Sequence, residues 1–161
     1  MIINHRNKVM FFHLPKTGGS SVAHLLRQHG YRDDGPDENG HLSASDALKV
    51  FGDKFTKYFK FGCVRNPWEL EVSRYLWTRR TRCDEQVWAE GSFKQFIKMW
   101  CQSQYKDRMN FDGLKINGKI ILDYVIRFET LQEDFNTVCD KIGIPDPALP
   151  TWLPAHCGQI K

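Results

Sequence analysis

Phe11-Phe-His-Leu-Pro-Lys-Thr-Gly-Gly-Ser-Ser-Val22 decides the fold. The apolar run from Lys8 to Leu14 closes on Pro15 and has the length of a buried strand. From Gly18 to His29 the spacing changes: Val22, Leu25, Leu26 and His29 recur as on one face of a helix. The order is strand, glycine turn, helix. Such a turn suits an anion, because the first amides of a helix lack partners and its dipole is positive there. Gly18 and Gly19 let the backbone approach a ligand, Thr17, Ser20 and Ser21 offer hydroxyls, and Lys16 supplies charge. The chemistry points to phosphate or sulfate. A nucleotide-triphosphatase loop, GxxxxGK[ST], puts its lysine after the glycines, whereas Lys16 precedes them. The plainer use of the same residues is a Gly-Gly helix start beside an exposed lysine.

A second segment has a related form: Phe61-Gly-Cys-Val-Arg-Asn-Pro-Trp-Glu-Leu-Glu-Val-Ser73. The apolar run 57–64 reads as a strand. Asn66 is placed to cap the helix that follows, Pro67 suits its first position, and Glu69 completes a capping-box pattern. The helix runs to about Arg80. Arg65 sits at the junction, and Glu69, Ser73 and Trp77, four apart, share one face. Arg65 and Ser73 can meet one phosphate, for which a guanidinium fork is well shaped. Two other uses stay open: an Arg65–carboxylate pair and an ordinary surface serine.

Outward from these two segments the pattern continues. Ser43 caps a helix over 43–51, and another covers 92–102. Asn117-Gly118 between apolar runs signals a hairpin, 123–128 is a further strand, and Thr130 with Glu133 forms a second capping box before a helix that Gly143 and Pro145 stop. Strands alternating with helices imply an α/β domain with a mainly parallel sheet flanked by helices and a small hairpin addition. The 161 residues form one domain, with an irregular proline-rich tail from about 145.

Composition excludes several classes. Hydrophobic residues are 41% and charged residues 26%, the balance of a globular chain rather than a disordered one. A net charge of +4 is too mild to argue for nucleic acid. The cations are nonetheless concentrated, with Lys54, Lys57, Lys60, Arg65, Arg74, Arg79, Arg80 and Arg82 in one stretch. That stretch is either a solvated basic face or a site for a small polyanion. No apolar run reaches membrane-span length. Residues 1–7 read as a polar lead rather than a signal peptide. The five cysteines form no CxxC pair, so neither a zinc site nor a disulfide framework is expected, and the compartment implied is the cytoplasm.

Taken together, the two motifs resemble those of the sulfotransferases that use 3'-phosphoadenosine 5'-phosphosulfate, especially the carbohydrate-type, family 2-like branch. Pro15-Lys-Thr-Gly-Gly-Ser-Ser21 is similar to that family's first motif. Arg65-Asn-Pro67 with Ser73 is similar to its second, and Phe128-Glu-Thr-Leu-Gln-Glu-Asp-Phe135 to its third recurring stretch. The resemblance spans about residues 8–143. It implies a P-loop-like sheet and transfer of a sulfuryl group to a hydroxyl or amine of a small-molecule or carbohydrate acceptor, without nucleic acid or metal. It places Lys16, Thr17, Gly18, Gly19, Ser20 and Ser21 at the donor's 5'-phosphosulfate, with Lys16 also catalytic. Arg65 and Ser73 fall at its 3'-phosphate. His41, in Glu38-Asn-Gly-His-Leu-Ser43, corresponds to a histidine base in some relatives; a purely local hydrogen bond is its other use. Two rival classes remain, a P-loop-type nucleotide kinase and a non-catalytic nucleotide-binding relative.

Overall fold

The computed structural model describes residues 1–34, 42–81, 91–102 and 111–150. Among them are seven strands: β1 (Ile2–Asn4), β2 (Val9–Phe12), β3 (Arg32–Asp33), β4 (Phe59–Val64), β5 (Lys115–Ile116), β6 (Lys119–Ile120) and β7 (Tyr124–Arg127). The helices are α1 (Gly19–Gln28), α2 (Ala44–Phe51), α3 (Asp53–Lys57), α4 (Pro67–Thr81), α5 (Phe93–Gln102) and α6 (Leu131–Ile142). Single 3-10 turns cover Phe111–Leu114 and Phe128–Thr130. The order is that of an α/β chain.

Five strands form one sheet in the order β3-β1-β2-β4-β7. Strands β2, β4 and β7 are parallel, but β1 runs antiparallel to both of its neighbours. The sheet is therefore mixed, where the sequence pattern implied a mainly parallel one. The difference lies in residues 1–7, which are not a mere lead. Met1, Ile2 and Ile3 are only 2%, 1% and 2% exposed, and they fill the sheet beside β2. The polar His5–Lys8 turn hid this short strand. Asn4 Oδ1 accepts the Asn7 N–H at 3.0 Å, and Lys8 turns the chain with φ 56°.

Alternation along β2 gives the two faces of the sheet their cores. Val9 and Phe11 meet Val22, Leu25 and Leu26 of α1 and Phe135, Val138 and Cys139 of α6. Met10 and Phe12 meet Ala44 and Ala47 of α2, Phe55 of α3, and Leu114. The hairpin forms where Asn117-Gly118 signals it: both residues adopt positive φ (50° and 76°), and β5 and β6 pair across them. The tail 145–150 contains no helix or strand.

Helix starts show where local patterns win and where distant partners intervene. Ser43 caps α2, its Oγ accepting the Asp46 N–H at 3.2 Å. Asn66 caps α4, its Oδ1 accepting the Trp68 N–H at 3.0 Å. Neither capping box closes. The Asn66 N–H donates to Glu129 Oε1 at 2.7 Å, from 63 positions away, while Glu69 turns to Arg65. At α6 the buried Asp134, rather than Glu133, reaches back, and it goes to the end of β7 and the Thr130 hydroxyl. Its carboxylate accepts the Arg127 N–H at 2.8 Å, the Arg127 guanidinium at 3.0 Å and the Thr130 hydroxyl at 3.0 Å.

These donors, the Arg127 guanidinium first, hold the Asp134 carboxyl down at about 2. An unfolded aspartate titrates near 3.9. The stabilisation is thus fully present above about pH 4 and is lost as pH falls towards 2. Asp134→Ala is expected to cost about 1–2 kcal/mol at neutral pH, because the part-buried Arg127 amide at the strand end loses its acceptor. It should also flatten the acid limb of stability between pH 4 and 2. Urea denaturation across that range checks both effects.

Candidate active site

Register places the two motif segments side by side. Phe12 pairs with Gly62, so the chain leaves β2 and β4 at adjacent points. Val64 pairs with Arg127, so Arg65 and Phe128 also emerge as neighbours. From β2 the chain proceeds through α1 to β3 on one side of the sheet, and from β4 it leads ultimately to β7 on the other. The crevice between β2 and β4 is the place in an open α/β sheet where ligands bind, outside the carboxyl ends of strands at a switch in winding.

The loop between β2 and α1 is tightly specified. Thr17 is 1% exposed, and its hydroxyl donates to the Leu14 carbonyl at 2.8 Å. That hydroxyl shapes the turn, which leaves the Thr17 backbone rather than its side chain for a ligand. Lys16 and Gly18 both adopt left-handed backbone, φ 66° and 80°. At Gly18 a Cβ would also lie 2.9 Å from Phe128 Cδ2 and from Leu131 Cδ2, so only glycine fits. At Gly19 a Cβ would lie 2.2 Å from the His13 ring, which stacks on Phe11. Gly19 opens α1, and Ser21 N–H already turns back to Gly18 O at 3.1 Å. The amides of Gly19 and Ser20 are first-turn donors without an intrahelical acceptor.

Cations converge on this loop. Arg65 Nη1 donates to the Lys16 carbonyl and Nη2 to Glu69 Oε2, both at 3.4 Å. These are long, weak contacts for a guanidinium. Arg65 Nε is buried with no partner among the described residues. The Lys16 ammonium lies 5.5 Å from the centroid of the Trp77 ring. Burial lowers the Lys16 pKa, and the positive charges of Arg65 and Arg80 lower it further. Ser73 is half-buried on α4, one turn from Glu69 and one from Trp77. Glu69 touches Arg65 and Trp77 underlies Lys16, so the face of α4 that bears Ser73 borders the loop.

The structure therefore brings Lys16, Thr17, Gly18, Gly19, Ser20, Ser21, Arg65 and Ser73 to one edge of the sheet. His41 lies outside the described residues. Among the described residues no group of three or more His, Cys, Asp or Glu side chains could hold a metal ion. No helix among them is long and apolar enough to cross a membrane. The sequence tied neither Phe128, whose ring lies under the Arg65 guanidinium at 4.0 Å, nor Glu129, which binds Asn66, to the two motifs. Their signal was present in the Phe128–Phe135 stretch, but nothing local tied it to Arg65.

Amides at a helix start with clustered cations around them have the chemistry to hold an anion. Comparison with known proteins gives the site's class. The model of the "Sulfotransferase family" matches residues 1–157. The chain is also similar to an uncharacterized protein of Archaeoglobus fulgidus, 36% identical over 96 residues, which cover 57% of this chain and 73% of that protein. No solved structure matches the chain.

Proposed function

The chain belongs to the sulfotransferase family, and from that premise we propose that it transfers a sulfuryl group from 3'-phosphoadenosine 5'-phosphosulfate to a small-molecule or carbohydrate acceptor. The observation that carries this reading is the meeting of Lys16 and Arg65 at the β2 and β4 exits, with Arg65 Nε buried and unpartnered among the described residues. A buried cationic donor without an acceptor is costly. A phosphate there supplies the acceptor.

In this P-loop-like reading the first-turn amides of α1 and the Lys16 ammonium hold the 5'-phosphosulfate, with Ser20 and Ser21 adding hydroxyls. Arg65 and Ser73 take the 3'-phosphate, the group that distinguishes this donor from ATP. The acceptor oxygen or nitrogen attacks sulfur in line, and the bond from sulfur to the bridging phosphate oxygen breaks. The electron pair passes to that oxygen, and 3',5'-ADP leaves. Lys16 and the amides stabilise the negative charge growing on it, the same electrostatic logic that serves phosphoryl transfer. His41 is the proposed base that receives the acceptor's proton, since an imidazole is available for that at neutral pH. No protein metal ligand is invoked.

Calorimetric titration with 3',5'-ADP, with 5'-AMP and Mg-ATP as controls, tests the donor site. Tight binding of 3',5'-ADP and much weaker binding of the other two is the expected result. Preference for Mg-ATP would instead support the kinase class. Binding of none would remove the donor site from the proposal.

A further inference from the structure

We infer that the Phe128–Glu129 turn is a positioning element that aims Arg65 at the bound anion, a reading that rests on the donor site proposed above. Neither residue belongs to the two anion motifs, yet this turn touches both. The Phe128 ring packs under the Arg65 guanidinium at 4.0 Å. The same ring closes over Gly18, where a Cβ would come within 2.9 Å of it. Glu129 Oε1 accepts the N–H of Asn66, the residue after Arg65, at 2.7 Å. One short turn thus joins the loop, the arginine and the peptide that follows the arginine.

The division of labour follows from guanidinium chemistry. Stacking on a ring restrains the tilt of the plane and leaves its N–H edge available for an in-plane partner. Among the described residues that edge is engaged only by the two contacts at 3.4 Å, to the Lys16 carbonyl and Glu69. Glu69 is 59% exposed and can turn to solvent when an anion takes its place. The Asn66–Glu129 bond fixes the backbone that carries Arg65. It also keeps the Glu129 carboxyl below its ordinary range, so the acceptor is ionised at neutral pH. Phe128 therefore fixes the plane of the fork and Glu129 fixes its root.

The test uses the full chain and two readouts. In the free protein, proton NMR of the Arg65 side chain should show the upfield displacement caused by the Phe128 ring. Phe128→Leu keeps apolar bulk against Gly18 but removes the flat face. It should abolish that displacement and weaken 3',5'-ADP about tenfold, the scale of a desolvated cation–ring contact. Affinity for 5'-AMP, which lacks the 3'-phosphate, should change less than about twofold on the same argument. Phe128→Tyr should retain both signals. Glu129→Gln, which keeps an acceptor for Asn66, should bind 3',5'-ADP like the wild type, whereas Glu129→Ala should not; these two variants carry the test if Phe128→Leu fails to fold. Unchanged Arg65 shifts in Phe128→Leu would overturn the proposal, as would an equal loss for both nucleotides or wild-type affinity in Glu129→Ala. A wild type that binds neither nucleotide, with Arg65 still displaced by the ring, would support the positioning contact and overturn the donor reading alone.

Discussion

Lys16→Ala is expected to lower the turnover number for sulfuryl transfer by about 10²- to 10³-fold, the usual cost of removing a preorganised donor from developing charge. Donor affinity should fall much less. Charge on the bridging oxygen is small in the ground state and large in the transition state, so an ammonium beside it acts mainly on the rate. Lys16→Arg, which retains the charge, recovers part of the activity. The alkaline limb of kcat/KM gives a second check. Burial and the neighbouring Arg65 and Arg80 lower the Lys16 pKa, so the free enzyme loses this charge at a lower pH than an ordinary lysine would. Activity that needs the ammonium should therefore be lost as pH rises, with a midpoint below that of an ordinary lysine, and kcat/KM reports the free enzyme. The limb should vanish in Lys16→Arg. Turnover by Lys16→Ala equal to wild type would take Lys16 out of the chemistry, and an unaltered limb in Lys16→Arg would assign it to another group.

Arg65→Ala should have the second large effect, on binding rather than rate. A hydrogen bond to a charged partner in a partly desolvated site contributes about 1.5–3 kcal/mol. Arg65 offers a fork of donors on a side chain 18% exposed. Loss of about 2–3 kcal/mol, or roughly 30- to 150-fold in Kd for 3',5'-ADP, is expected. Binding of 5'-AMP should be nearly unaffected. Calorimetry on both proteins decides it, and equal affinities for 3',5'-ADP would remove Arg65 from the site.

The candidate site was legible in the sequence wherever local chemistry determines structure. Pro15, Gly18 and Gly19 between two different apolar periods announce a strand, a turn and a helix, and β2 and α1 form there. Asn66-Pro67 starts α4, and the four-residue spacing of Glu69, Ser73 and Trp77 sets the face that borders the loop. What escaped depended on partners far along the chain. Glu129 captures an amide that the local pattern assigned to Glu69, and Asp134 binds the Arg127 amide, to which no local pattern pointed. A carboxylate held by tertiary structure outcompetes a flexible neighbour, which must lose side-chain freedom to reach the same amide. Strand β1 escaped for a different reason. Three residues are too few to display a period, and only the gap between β2 and β3 makes them a strand.

The order of strands in space also sets an order in time. The loop after β2 leaves the ribosome before β4 and β7 do, but β2 has β4 as its parallel neighbour and β4 has β7. A nascent chain that ends before β4 carries Lys16 and the glycines without Arg65. One that ends before Phe128 carries Arg65 without the ring beneath it. Joining such distant segments costs loop-closure entropy that only the completed sheet recovers. The loop is thus synthesised before the segments that complete it. A ligand that bound only the completed site would favour finished molecules over unfinished ones, adding to their stability as its concentration rose.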